Sequence, residues 1–182
     1  MKKVIGIALL IMICAALFAE DKFAYIDTDR IMMTSPETQE AQTILMNERT
    51  KWEQEINDMD AELDQLYADY ESKKMILTES GKQEAEDKIT QLTQARQAKV
   101  EEIFGENGKF VQKQNELLEP ILMKLQTVIE KVAVENNYTM IFDAAAGSLL
   151  YAKPNMDITD LVIDEMQETV EGTETETTNQ NK

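Results

Sequence analysis

Residues 52–70 read WEQEINDMDAELDQLYADY. Trp52, Ile56, Met59, Leu63, Leu66 and Tyr70 recur at intervals of 4, 3, 4, 3 and 4. That alternation sets the large apolar side chains on one seam of an α-helix, at the a and d places of a heptad. The positions between them are mostly Asp, Glu, Gln and Asn. A helix of this kind buries one stripe and wets the rest, so it requires a partner helix. Leu45 and Leu77 extend the seam in register, with Arg49 and Lys73 as polar interruptions. Ser35, Pro36 and Glu37 mark its start: a capping hydroxyl, a proline at the first helical place and an acid at the positive end of the dipole. Residues 36–77 as one helix would span about 63 Å at 1.5 Å per residue.

Thr78-Glu79-Ser80-Gly81 interrupts the pattern. Ser80 is the expected cap of a second helix, with Gln83 placed for a capping box. The returning seam begins at Ala85, Ile89 and Leu92 and slips by one place between Arg96 and Val100, as a stutter does. It resumes with Val100, Ile103, Phe110, Leu117, Ile121, Leu125, Val128 and Val132 and ends near Asn136. Three residues oppose a regular helix here. Gly105 and Gly108 each cost about 1 kcal/mol relative to Ala, and Pro120 removes a donor and crowds the carbonyl of Glu116. They could separate shorter helices. The seam resumes beyond each of them, which favours one long, bent helix with Gly105, Gly108 and Pro120 as hinge candidates.

Outside the helical hairpin the period shortens. Residues 22–27 (KFAYID) read as a strand, and 31–34 as a single helical turn. Residues 139–143 (TMIFD) read as a strand, 144–147 as a tight connection and 148–152 (SLLYA) as a second strand, which together predict a β-hairpin. Residues 157–160 open a final helix to about Glu168, turning Leu161, Val162 and Met166 to a core. The expected fold is α+β: a small β-containing body from 20–35 and 137–169, with a helical coiled-coil hairpin, 36–136, inserted as a tentacle. So small a body is marginal alone. Self-association is the simplest supplement, and short strands offer edges for it.

Lys2 and Lys3 precede an apolar run from Val4 to Phe18, the form of a cleaved export signal over residues 1–19. Cys14, the only cysteine, lies in that signal, and the chain has no histidine. The commonest general acid/base and metal ligand is therefore missing. The whole chain carries −17, and loss of the signal makes it two units more acidic. Such a surface repels phosphate backbones, so nucleic acid is not an expected partner. FGENG lacks the spacing of a phosphate loop, and Asp58, Asp60 and Glu62 lack that of a calcium loop. No cofactor, metal site or enzyme activity is expected. Residues 170–182 are polar and of low complexity, too poor in apolar groups to order themselves. Some apolar residues lie off the seam: Tyr67, Met75 and Ile76, with Leu77 beside them. Polarizable Met suits a surface that must accept many sequences.

These segments resemble the Skp/OmpH family of periplasmic chaperones. FAYIDTDRIM (23–32) is similar to its first strand and short helix. NELLEPI (115–121), KVAVENNYTMIFD (131–143), LLYA (149–152) and DITDLVI (157–163) follow in that family's order. IFGENGKF (103–110) most resembles the branch found in Bacteroidota-like bacteria. The resemblance implies a periplasmic homotrimer whose tentacles enclose unfolded outer-membrane proteins and prevent their aggregation without ATP. Tyr67, Met75, Ile76 and Leu77 are then candidate client-binding residues. One departure is charge. Well-known members are basic, so contact with anionic lipid or lipopolysaccharide does not carry over to this acidic chain. A structural coiled-coil spacer of the cell envelope is the alternative reading. It shares the rod and the acidity but needs no exposed apolar patches.

Overall fold

The computed structural model describes residues 21–168. The export signal expected at 1–19 and the tail expected at 170–182 lie outside the described residues. The fold is α+β. Strand β1 (Phe23–Ile26) leads into helix α1 (Thr28–Thr34), followed by the long helix α2 (Pro36–Lys73). Helices α3 (Glu79–Phe104) and α4 (Lys109–Glu135), strand β2 (Met140–Asp143) and a 3-10 turn (Pro154–Met156) come next. A last helix, α5, occupies residues 159–168. The chain divides into two compact units, one of Pro36–Met123 and one from the residues before and after it.

In the first unit β1 and β2 pair in parallel, with Phe23 opposite Met140 and Ile26 opposite Asp143. The other edge of β1 is taken by a bridge from Tyr25 to Asp157, and Ile158 N–H donates to Tyr25 O at 3.0 Å. Alternation along β1 sends Ala24 and Ile26 inward. They pack with Ile31 of α1, with Leu125, Val128 and Val132 of α4, and with Ile158, Val162 and Met166. The expected helix at the C-terminal end is present, but its apolar face is Val162 and Met166 with Ile158. Leu161 stays partly exposed.

Aspartates fasten the strand ends. Asp27 caps α1 by accepting from Arg30 N–H at 3.0 Å. Asp143 accepts from the Thr28 hydroxyl at 2.7 Å and from Ala145 N–H at 3.0 Å. Asp157 accepts from Thr159 N–H at 2.9 Å at the start of α5. Asn137 ends α4 with φ at 56°. Tyr138 N–H reaches back to Ala133 O at 2.9 Å and Asn137 N–H to Val134 O at 3.3 Å, which is the double closure of a Schellman motif with Asn in the left-handed place.

Three local expectations are corrected. Residues 148–152 form no strand, so there is no β-hairpin. Leu149 and Tyr151 instead border a hollow beside Phe23, Tyr25 and Phe142. The second helix is capped by Thr78, whose hydroxyl accepts from Gly81 N–H at 3.2 Å, and not by Ser80. Starting there places Leu77 over the first turn of α3, where its Cδ2 comes within 3.2 Å of the space left by the missing Gly81 side chain. Finally, the return arm is two helices, not one bent helix. It breaks at Gly105–Gly108 and runs unbroken through the exposed Pro120.

Candidate binding surfaces

In the second unit α2 and α3 run antiparallel, joined by a turn at residues 74–78. All six seam residues from Trp52 to Tyr70 are buried or half-buried, Ile56 and Leu63 most deeply, and Ile89 and Ile103 are buried on α3. Ties between the helices flank this seam. Arg96 grips Asp60 with two bonds, at 2.7 and 2.9 Å. Lys99 pairs with Glu55 at 2.8 Å, and the Tyr70 hydroxyl donates to Glu86. The partner numbers rise on one helix as they fall on the other, so each tie fixes the same register. Their electrostatics agree with their geometry. The bond from Arg96 lowers the Asp60 carboxyl below its ordinary range, and the bond to Asp60 raises Arg96 in turn. Glu55 raises Lys99, and the acceptor Glu86 raises the Tyr70 phenol.

The expected binding residues fall into two groups. Met75 is 88% exposed and Ile76 84%, both in the turn that closes the hairpin, and Tyr67 stands half-exposed on α2. Leu77 is half-buried and packs on Gly81, so it belongs to the hairpin's own structure. The neighbouring lysines are not free charges. Lys73 pairs with Asp69 at 2.9 Å, Lys74 with Glu71 at 2.5 Å and Lys82 with Glu79 at 2.7 Å. The turn is thus an apolar, locally neutral point on a strongly acidic chain.

A second apolar surface lies on the sheet of the first unit. The side chains of β1 that face away from the core are Phe23 and Tyr25, beside Met140 and Phe142 of β2. Phe23, Tyr25 and Phe142, with Leu149, Tyr151 and Met156, border a shallow hollow of about 370 Å³. Leu150 is 95% exposed and Tyr151 82%. Reading the residues one strand at a time missed this surface. Its signal is present in FAYI and MIF, which are apolar without alternation, the mark of strands covered on both faces.

No buried side-chain N or O lacks a partner, and no group of three or more His, Cys, Asp or Glu could hold a metal among the described residues. No helix among them is long and apolar enough to cross a membrane. The candidate hinge glycines, Gly105 and Gly108, lie together at the break between α3 and α4, and Pro120 lies apart from them within α4.

Residues 22–166 match the family model described as outer membrane protein (OmpH-like). An uncharacterized protein of Aquifex aeolicus is 30% identical over 159 residues, which cover 87% of this chain and 93% of that one. A crystal structure from Caulobacter crescentus, solved as a candidate outer membrane chaperone (OmpH-like), superposes with a TM-score of 0.72 at 18% identity. It covers 83% of this chain and 86% of that one.

Proposed function

We propose that this chain, which belongs to the OmpH-like family of outer membrane proteins, is an ATP-independent holdase that captures unfolded β-barrel proteins in the periplasm. One observation carries the reading. A strongly charged hairpin holds Met75 and Ile76 almost fully in water in its turn, and Tyr67 half-exposed about two turns earlier on α2. Exposed Met and Ile in a turn gain nothing for the fold. They gain by contact with a chain whose own apolar segments are still uncovered. Such contact needs no sequence match and no nucleotide, which suits a client defined by being unfolded. The structural-spacer alternative leaves these side chains without a use.

The active form is a homotrimer exported by a cleaved signal. Support for self-association comes from the two-stranded sheet, which is apolar on both faces while this chain covers only one. The acidic surface argues against anionic lipid and lipopolysaccharide as direct partners. The test is light scattering from a β-barrel protein diluted out of denaturant. The wild type should suppress aggregation at near-stoichiometric amounts with or without ATP. A Met75→Ser/Ile76→Ser variant with unchanged helicity should suppress it markedly less. Equal scattering with and without the wild-type protein rejects the holdase reading and leaves the spacer.

A further inference from the structure

The heptad seam and the helix boundaries disagree in the return arm. Ile103, Phe110 and Leu117 fall seven apart, the spacing that keeps side chains on one face of a continuous coiled-coil helix. Yet α3 stops at Phe104 and α4 begins at Lys109. A permanent loop has no reason to preserve that phase. Helical bonds run to both lips of the gap: Gly105 N–H donates to Glu101 O at 2.9 Å, and Gln112 N–H to Gly108 O at 3.1 Å. Gly105 keeps a helical φ of −64° and leaves the helix through ψ, at 173°. Gly108 N–H then closes the corner on Gly105 O at 2.9 Å.

This corner has room only for glycine. A Cβ on Gly105 would meet Glu101 O at 2.4 Å, and one on Gly108 would meet Ile103 O at 2.4 Å. Two contacts hold it shut. Lys109 pairs with Glu102 at 2.5 Å, and the rings of Phe104 and Phe110 lie with centroids 6.1 Å apart at 44°. In a straight helix residues 102 and 109 would stand about 10.5 Å apart along the axis, beyond the three- and four-residue spacings at which helical side chains meet. The ion pair therefore belongs to the corner and the heptad phase to the straight helix. We propose that residues 104–109 are a two-state joint, in which the observed corner exchanges with a continuous helix joining α3 to α4. The inference concerns the chain's own backbone and does not depend on the holdase reading.

Alanine separates the two states, because it clashes in the corner and favours the straight helix by about fivefold at each glycine. Spin labels at Gln97→Cys and Asn115→Cys, both exposed, report the change in the full chain. A Cys14→Ser background keeps the labelling unique, since Cys14 is the only cysteine. A straight helix separates these Cα atoms by about 27 Å. Pulsed dipolar spectroscopy should show Gly105→Ala/Gly108→Ala moving the distances to a discrete population near that value, with a gain in helical circular dichroism. Lys109→Gln removes the clasp, keeps both glycines and should raise the same population to a smaller degree. Distances unchanged by Lys109→Gln, with the alanine variant unfolded or still cornered, overturn the proposal. A single broad distribution that merely slides also overturns it, since that describes a floppy hinge.

Discussion

Thr159 has no exposed surface, and its hydroxyl does two things at once. It accepts from Asp27 N–H at 3.0 Å and donates to Asp157 at 2.5 Å, tying the end of β1 to the start of α5. Thr159→Val keeps the shape but leaves the Asp27 N–H unpaired in a part-buried place. We expect a loss of about 1–3 kcal/mol in urea unfolding, with the m-value unchanged. Ile31 shows the other residue-scale force. It is buried against the sheet and α4, and Ile31→Ala should cost about 2–5 kcal/mol by the same measurement. The turn residues behave differently. Met75→Ser and Ile76→Ser should each change stability by less than about 0.5 kcal/mol, because both side chains are already in water. Together they should weaken capture of an unfolded β-barrel on the order of tenfold, the loss of one well-buried aliphatic contact. Leu77→Ala, by contrast, should lower hairpin stability, since Leu77 packs on Gly81. Any capture defect in that variant would be mixed with loss of structure.

At the scale of the helical element, the α2–α3 hairpin rests on a thin seam and a few polar ties. The tie of Asp60 to Arg96 sets a pH dependence whose sign can be worked out. Arg96 lowers the folded-state carboxyl of Asp60 below its unfolded value of about 4. Its contribution is therefore present above that pH and is lost as pH falls through the lowered folded value. The Glu102 carboxyl, lowered chiefly by its bond to Lys109, acts in the same direction. The thermal midpoint should drop on acidification below about pH 4, and Asp60→Asn should flatten part of that drop. Both partners are partly exposed, so added salt should shrink the difference between variant and wild type. A difference unchanged by salt would show that packing around Asp60, and not its charge, sets the effect.

For the whole molecule, the proposed capture of clients depends on charge and on the proposed assembly. The chain carries −17, and the lysines nearest the turn are already paired with acids. Long-range attraction cannot recruit an acidic client, so capture must rest on apolar contact, which salt does not screen and can strengthen. Affinity for an acidic unfolded β-barrel should therefore stay level or rise from low to moderate salt at fixed pH. A steep fall with helicity intact would make ionic contacts the dominant force. The proposed assembly rests on the uncovered apolar face of the sheet. Multi-angle light scattering at micromolar concentration should report a trimer, and Phe142→Asp with Tyr151→Asp should shift it towards monomer. A wild type that remains monomeric across that range would remove the assembly from the proposed function.

The sequence by itself determined the hairpin of helices, because a heptad is a local repeat. Trp52 to Tyr70 can satisfy their spacing in only one secondary structure. It determined the strand at 23–26, the helix begun near Asp157 and the end of α4 at Asn137, each marked by caps or turn residues acting within a few positions. It also singled out Met75 and Ile76 as residues off the seam. Only the tertiary structure decided where residues 148–152 go. A strand's partner is a long-range choice, and here Leu149 and Tyr151 border the hollow at the sheet face while Leu150 and Tyr151 stay largely exposed. Only the tertiary structure separated Leu77 from Met75 and Ile76, since that depended on the space above Gly81. The same holds at Gly105 and Gly108. Local propensity allowed a bend or a break there, and contacts between Glu102 and Lys109 and between Phe104 and Phe110, six or seven residues apart, favoured the corner.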